Sequence, residues 1–384
     1  MAFSIYKPFI LVVLLTLTTS KYVDLHFTTM ENDILEDNDS SVLRDLHEDV
    51  PLIDSPLDRL LVDLCVGSQQ TCLKAKISSS FQYIWLTSDI AYEKGFDKSK
   101  SSSFKETDKS LSLSELYGTV EGNICQDTLS IGSYTLNKFP FLLTDSKIKY
   151  DEYQGAIGFG YLYDDESYSF LDTLAAKTKI SNKIFYIKYT SKKEGIIRLG
   201  EFPPEMNANK GKYSYKTCKA IDTTTKDNQI EANNRWECEL NGIYYGNQNG
   251  RVEYIKVKDR VNFSLGSNIL SFPLDVYDDF IRKYMQKYFD SGDCALEQMR
   301  YFEVVYCKES FDYNQLGEVN YILGKWSLKF EPKDLFVPYE GRLRFGIYGH
   351  KGKNVYLLGS YFFKKYIVVF NKQDKHIGLL LNNY

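Results

Sequence analysis

Histidine is scarce in this chain. The four present, His26, His47, His350 and His376, are scattered, and no two stand four apart on one helix, so no zinc pair is offered. A basic cluster is missing too: with 47 Lys and Arg against 51 Asp and Glu, the net charge of -4 gives no general attraction to nucleic acid or to an anionic membrane. No metal or cofactor is expected. Charge-free apolar runs are rare. One, Phe9 to Leu17, follows Lys7 and precedes the small residues Thr18-Thr19-Ser20, the layout of a secretory signal cleaved after Ser20. At about nine residues it falls short of the roughly 20 that a membrane helix needs. No second such run follows, so no span is expected once the signal is removed, and Leu379 to Tyr384 carries neither an anchor signal nor a familiar retention signal.

What is present describes a large globular protein. A chain of 384 residues, 43% hydrophobic and 15% aromatic, can bury a sizeable core and would normally divide into two domains. Strand-like runs recur from Leu60 onward, among them Phe139–Leu143, Ile184–Tyr189, Ile196–Leu199, Tyr254–Val257, Val304–Tyr306, Trp326–Phe330 and Val355–Leu358. Two segments read as helices. Ser169–Lys177 opens on a capping serine, and Leu274–Phe289 follows Pro273 with Val276, Phe280, Tyr284 and Tyr288 at helical spacing. The class is therefore all-β with a few short helices. Before the strands, residues 21–57 form an acidic leader: Glu31 to Val50 holds eight acidic residues and one arginine, readable as a propeptide remnant, a disordered arm or a solvated extension.

Export permits disulfides, and seven cysteines are present. Val62–Val66 and Thr71–Ala75 read as a hairpin turning at Gly67-Ser68-Gln69-Gln70, which sets Cys65 opposite Cys72 at bridging distance. Proximity in sequence pairs Cys218 with Cys238 and Cys294 with Cys307, leaving Cys125 over. Of two glycosylation sequons, Asn38-Asp39-Ser40 lies in the leader; Asn262-Phe263-Ser264 falls on a central strand, where a glycan would not fit.

Further stretches, in order, resemble the pepsin-like aspartic protease family (peptidase A1) from about residue 58 to the end. Gly67-Ser68-Gln69-Gln70 resembles that family's Gly-Thr-Pro-x-Gln turn, and Phe96 to Phe104 its Phe-x-Pro-Ser-x-Ser-Ser-Thr-Phe run. Leu116-Tyr117-Gly118-Thr119 stands where its flap hairpin begins. Gln154 to Gly160, Gly195 to Gly200, Trp236 to Ile243, and Leu358 to Tyr366 with Val369-Phe370-Asn371 and Ile377-Gly378 follow the remaining motifs. The resemblance implies two β-barrel-like lobes around a cleft, with an N-terminal lobe at 58–206 and a C-terminal lobe at 207–384. It also places the two catalytic aspartate positions at Ser78 and Ser264.

Both aspartates are thus replaced by serine. The glycine two residues after the first is Ser80, which puts a β-carbon where the family's loop takes a backbone that resists one, whereas the second loop keeps Gly266. Phe81 sets a large ring beside or under the cleft floor. The flap, Gly118-Thr119-Val120-Glu121-Gly122, is two residues shorter than the family's. Cys307 resembles the first cysteine of a family disulfide whose usual partner is missing, so Cys294 is a local replacement.

Acid proteolysis needs two carboxylates sharing a proton, and hydroxyls supply neither base nor acid near neutrality. Asp89 and Asp275 are the nearest substitutes. A serine nucleophile would need a nearby histidine or lysine, and His376 lies in a surface turn while Lys74 and Lys76 read as solvated or lobe-edge. The expectation is a catalytically inactive monomer binding an extended peptide or protein in the interlobe cleft. That cleft is lined by Ser78, Ser80, Phe81, Trp85, Tyr117, Thr119, Ser264, Gly266 and Ser267. Two other readings stay open, an aspartic endopeptidase and a scaffold with a vestigial cleft. The compartment is secretory: extracellular, or a vacuole- or lysosome-like or secretory organelle.

Overall fold

Period-two alternation sets the first layer. Along Thr71–Ser78 the residues Leu73, Ala75 and Ile77 enter the core, while Cys72, Lys74, Lys76 and Ser78 take the other face. This strand pairs with Arg59–Val66 in the hairpin expected from the sequence, with Cys65 facing Cys72. The computed structural model describes residues 22–30, 59–90, 94–115, 118–145, 153–161, 168–178, 180, 182–207, 216–221, 235–246, 251–267, 269–299, 302–351 and 356–383. The signal segment, most of the leader with the Asn38 sequon, and Tyr117 lie outside them.

The described residues are mostly β, in a sheet of thirteen strands and another of eleven, with a few helices, as expected for the bilobal pepsin-like fold. Ser169 caps the helix Phe170–Lys177 by accepting from the Asp172 backbone N–H, and Leu274–Asp290 starts directly after Pro273. The short helices Pro204–Asn207, Pro332–Leu335 and Ser360–Lys365 were not legible, because one or two turns carry too little periodicity.

Two features tie the chain's ends into the first sheet. Val23–Met30, within the acidic leader, is a strand lodged between Glu194–Leu199 and Arg59–Val66. Val23, Leu25 and Phe27 are buried, Arg198 grips Asp24 bidentately at 2.5 and 2.7 Å, and a β-carbon on Gly195 would meet Phe27 Cζ at 2.4 Å. At the other end, Tyr366–Asn371 pairs with Ile184–Tyr189 and carries His376–Leu381 and Lys216–Lys219 beside it. Trp236, wholly buried, donates its indole N–H to Phe159 O at 2.7 Å and packs on Tyr161, Phe185 and Phe370.

The three expected disulfides are present, Cys65–Cys72, Cys218–Cys238 and Cys294–Cys307. Cys125 is free and buried, and burial pushes its thiol up to about 12, which keeps it protonated and unreactive.

One buried charge cluster couples distant segments. Burial by itself would raise the Asp172 carboxyl, but Lys183 at 2.7 Å, Lys372 and the Ser169 hydroxyl outweigh it and hold the group below its ordinary range. A depressed carboxyl stabilises the fold above its unfolded pKa and loses that contribution as pH falls through the folded value. Asp172→Asn should therefore cost about 3 kcal/mol at pH 7, because it strands the buried Lys372 cation. The gap to the parent should close in acid, as read by denaturant midpoints across pH.

Candidate functional site: two serine loops joined across the lobes

The Thr71–Ser78 strand ends at Ser78 and the Val252–Phe263 strand ends one residue before Ser264, so both serines sit where a core strand gives way to a loop. The two settings are built alike. Thr71–Ser78 pairs in parallel with Gly155–Gly158, placing Ile77 against Ile157, and Val252–Phe263 pairs in parallel with Tyr356–Leu358, placing Phe263 against Leu358.

Ser79 stitches the loops together. Its hydroxyl donates to Phe263 O at 3.2 Å and accepts from Leu265 N–H at 3.1 Å, and all three residues are buried. Leu265, the matching residue of the second loop, has no hydroxyl to return the contact, so the stitch runs one way. Ser79→Ala should cost about 1–3 kcal/mol by leaving the Leu265 N–H buried without its acceptor, while Ser79→Thr keeps it; thermal unfolding of the two variants distinguishes them.

Ser78 is buried, and its hydroxyl accepts from the Ser80 N–H at 3.1 Å. Ser264 and Gly266 are half-buried, and Ser267 is buried with its hydroxyl accepting from Ile269 N–H at 3.4 Å. The strain expected at Ser80 is not found. Its φ is not positive, so the backbone lies where any residue can sit, and at the corresponding Gly266 an added β-carbon would meet nothing closer than Ile77 O at 3.9 Å. The glycine position tolerates a side chain here.

Phe81 is buried. It is 1% exposed, packs with Trp85, Val120, Ile124, Leu142, Tyr153 and Ala156, and presses on Gly158, where a β-carbon would meet Phe81 Cδ2 at 2.5 Å. Trp85, equally buried, belongs to the same cluster, so both rings are packed into the interior. The cluster is roofed by the hairpin of Lys105–Glu115 and Gly118–Ile131, in which Glu115 pairs with Gly118 and Ser114 with Thr119.

Asp89, Asp275 and His376 are exposed, and His350 packs edge-on against Phe302 with Nδ1 2.9 Å from Lys351 O. Asn262 is 8% exposed, too buried to carry a glycan. Two residues escaped sequence reasoning. Ser79 was hidden inside a run of three serines, and Lys76 read as solvated or lobe-edge. Lys76 is in fact half-buried, its ammonium over the Trp85 ring at 5.7 Å and the Tyr153 ring at 5.2 Å; alternation with Ser78 was the signal. Lys74 does sit at the surface, paired with Asp63 at 2.7 Å.

The fold and the paired loops define a bilobal aspartic-protease scaffold. The sequence matches the eukaryotic aspartyl protease family over residues 55–381, and the chain belongs to that family. Its three disulfides and its family fit a secretory or lysosome-like compartment. Among the described residues no helix is long and apolar enough to cross a membrane.

Proposed function

We propose that this protein is a catalytically inactive member of its family that holds an extended peptide or protein segment between lobes spanning 58–206 and 207–384. The observation that carries the reading is the pairing at the loops. The cross-lobe stitch of Ser79 is kept, and the residues that would act on a peptide bond, Ser78 and Ser264, bear hydroxyls. In acid proteolysis an ionised carboxylate takes a proton from water while its protonated partner polarises the carbonyl. Serine can hold a water by hydrogen bonds but cannot deprotonate it, which removes the roughly 10²–10⁴-fold that general acid–base catalysis supplies. What an extended peptide needs from such a groove is different: backbone hydrogen bonds and side-chain pockets, none of which depends on the dyad.

The test is cleavage of denatured haemoglobin and casein between pH 3 and pH 7, run beside titration of labelled octapeptides. No cleavage with saturable peptide binding is the expected result. Cleavage in acid restores the endopeptidase reading, and neither cleavage nor binding favours the scaffold.

A further inference from the structure

We infer that the hairpin of Lys105–Glu115 and Gly118–Ile131 carries, on its face turned away from Phe81 and Trp85, a binding site for an alkylguanidinium, as an arginine side chain presents it on a peptide. Alternation separates the two faces. Val120, Ile124 and Leu142 enter the aromatic cluster, while Glu121, Asn123 and Leu143 take the other side. On that side opens a cavity of about 730 Å³. Its size is that of an organic ligand's site, roughly 300–1,000 Å³, and far exceeds what a bare ion needs.

Cross-strand register builds the cavity floor as two rows. Ser112 pairs with Glu121 and Ser110 with Asn123, and Asn123 pairs with Leu143 on the next strand. Carried two residues further, the same register sets Asp145 beside Glu121, and the Thr144 hydroxyl holds it by donating to Glu121 O at 2.6 Å. One row therefore reads Ser112, Glu121, Asp145 and its neighbour Ser110, Asn123, Leu143, and all six line the cavity. Like charges so opposed repel and destabilise a sheet. Glu106, which holds the Asn123 amide, is matched by Lys98 at 3.3 Å. Among the described residues no lysine or arginine lines the cavity, and neither Glu121 nor Asp145 has an ion pair. Each gives one oxygen to a serine: Ser112 Oγ donates to Glu121 Oε1 at 3.3 Å, and Ser88 Oγ to Asp145 Oδ1 at 2.5 Å. Both residues are exposed, so Glu121 Oε2 and Asp145 Oδ2 are open to a ligand's donors.

A cation seated between the two carboxylates ends their repulsion. A guanidinium suits the place, because its planar fork of five N–H donors can serve both at once. Leu143 in the adjoining row offers apolar surface to a methylene stem. A free amino acid would bring its own carboxylate toward two others, which points to an arginine within a peptide.

The test titrates the full chain, by fluorescence anisotropy, with dansyl-agmatine and with its neutral urea counterpart, both too short to bind as extended peptides. The guanidinium probe should bind at least about tenfold more tightly than the urea, as expected for hydrogen bonds between charged groups. Glu121→Gln with Asp145→Asn should erase that advantage. Asp279→Asn with Asp290→Asn, an equal charge change at exposed positions of the helix Leu274–Asp290, should leave it within about twofold, since distant exposed charges are screened. A blocked pentapeptide with one central arginine should displace the probe, and free arginine should not. Equal binding of the two probes, or an advantage that survives the hairpin double variant, would overturn the site. Displacement by free arginine alone would overturn the peptide as its source. None of these readings uses the peptide titrations of the interlobe groove, so either proposal can fail alone.

Discussion

Removing residues 22–30 should leave a chain that does not reach its native fold, and a synthetic peptide of those residues added in trans should restore cooperative unfolding. The Val23–Met30 strand is bonded on both sides, to Glu194–Leu199 and to Arg59–Val66, so its loss opens two edges in the middle of a sheet. It also uncovers Val23, Leu25 and Phe27, each worth about 1.5–3 kcal/mol when buried. That sum is of the order of a whole domain's stability, about 5–15 kcal/mol. Arg198 would lose its bidentate partner Asp24, and the room left by Gly195 for Phe27 would become a cavity. Tryptophan fluorescence during urea unfolding, with and without the peptide, reads the result. A truncated chain with an unchanged midpoint would show that the strand is dispensable.

Restoring carboxylates at both serines, Ser78→Asp with Ser264→Asp, should destabilise the protein by about 3 kcal/mol at pH 7 and by much less near pH 4. Ser78 is 6% exposed and its hydroxyl is engaged by the Ser80 N–H, so an ionised group there is desolvated and faces a second like charge on the stitched loop. Desolvation and like charge both raise a carboxyl's folded pKa above its unfolded one. The penalty is therefore full above the folded value and is relieved as pH falls through it. This is opposite in sign to Asp172, whose lysines depress its carboxyl and whose contribution acid removes. A deficit independent of pH would contradict the account. The same double variant, assayed on denatured haemoglobin, separates the missing carboxylates from the altered Ser80 and Phe81. Cleavage gained only by the variant assigns the parent's inactivity to the hydroxyls.

Much of the architecture was legible because long strands repeat a simple pattern. Ile184–Tyr189 and Trp326–Phe330 were read to the residue, and the Cys65–Cys72 bridge followed from hairpin register alone. The loops were harder, since their roles depend on partners nearly two hundred positions away. Nothing local marks Ser79 among three serines; only the Phe263 carbonyl and the Leu265 N–H across the lobes do so. The strain inferred at Ser80 rested on a glycine elsewhere in the family, and the backbone here has no need of one. Lys76 read as solvated or lobe-edge because a lysine on a strand usually is, whereas Trp85 from the Ile84–Thr87 strand and Tyr153 from the segment before Gly155 reach its face.

The pairing of the first sheet has a consequence for synthesis. Tyr366–Asn371 and His376–Leu381 pair with Ile184–Tyr189 and Lys216–Lys219, so strands made early wait for partners made much later. At roughly 5–20 residues per second, translation of the stretch from residue 189 to 381 leaves one edge of Ile184–Tyr189 unpaired for about 10–40 seconds. A nascent chain therefore exposes a hydrophobic strand edge for far longer than a hairpin takes to close.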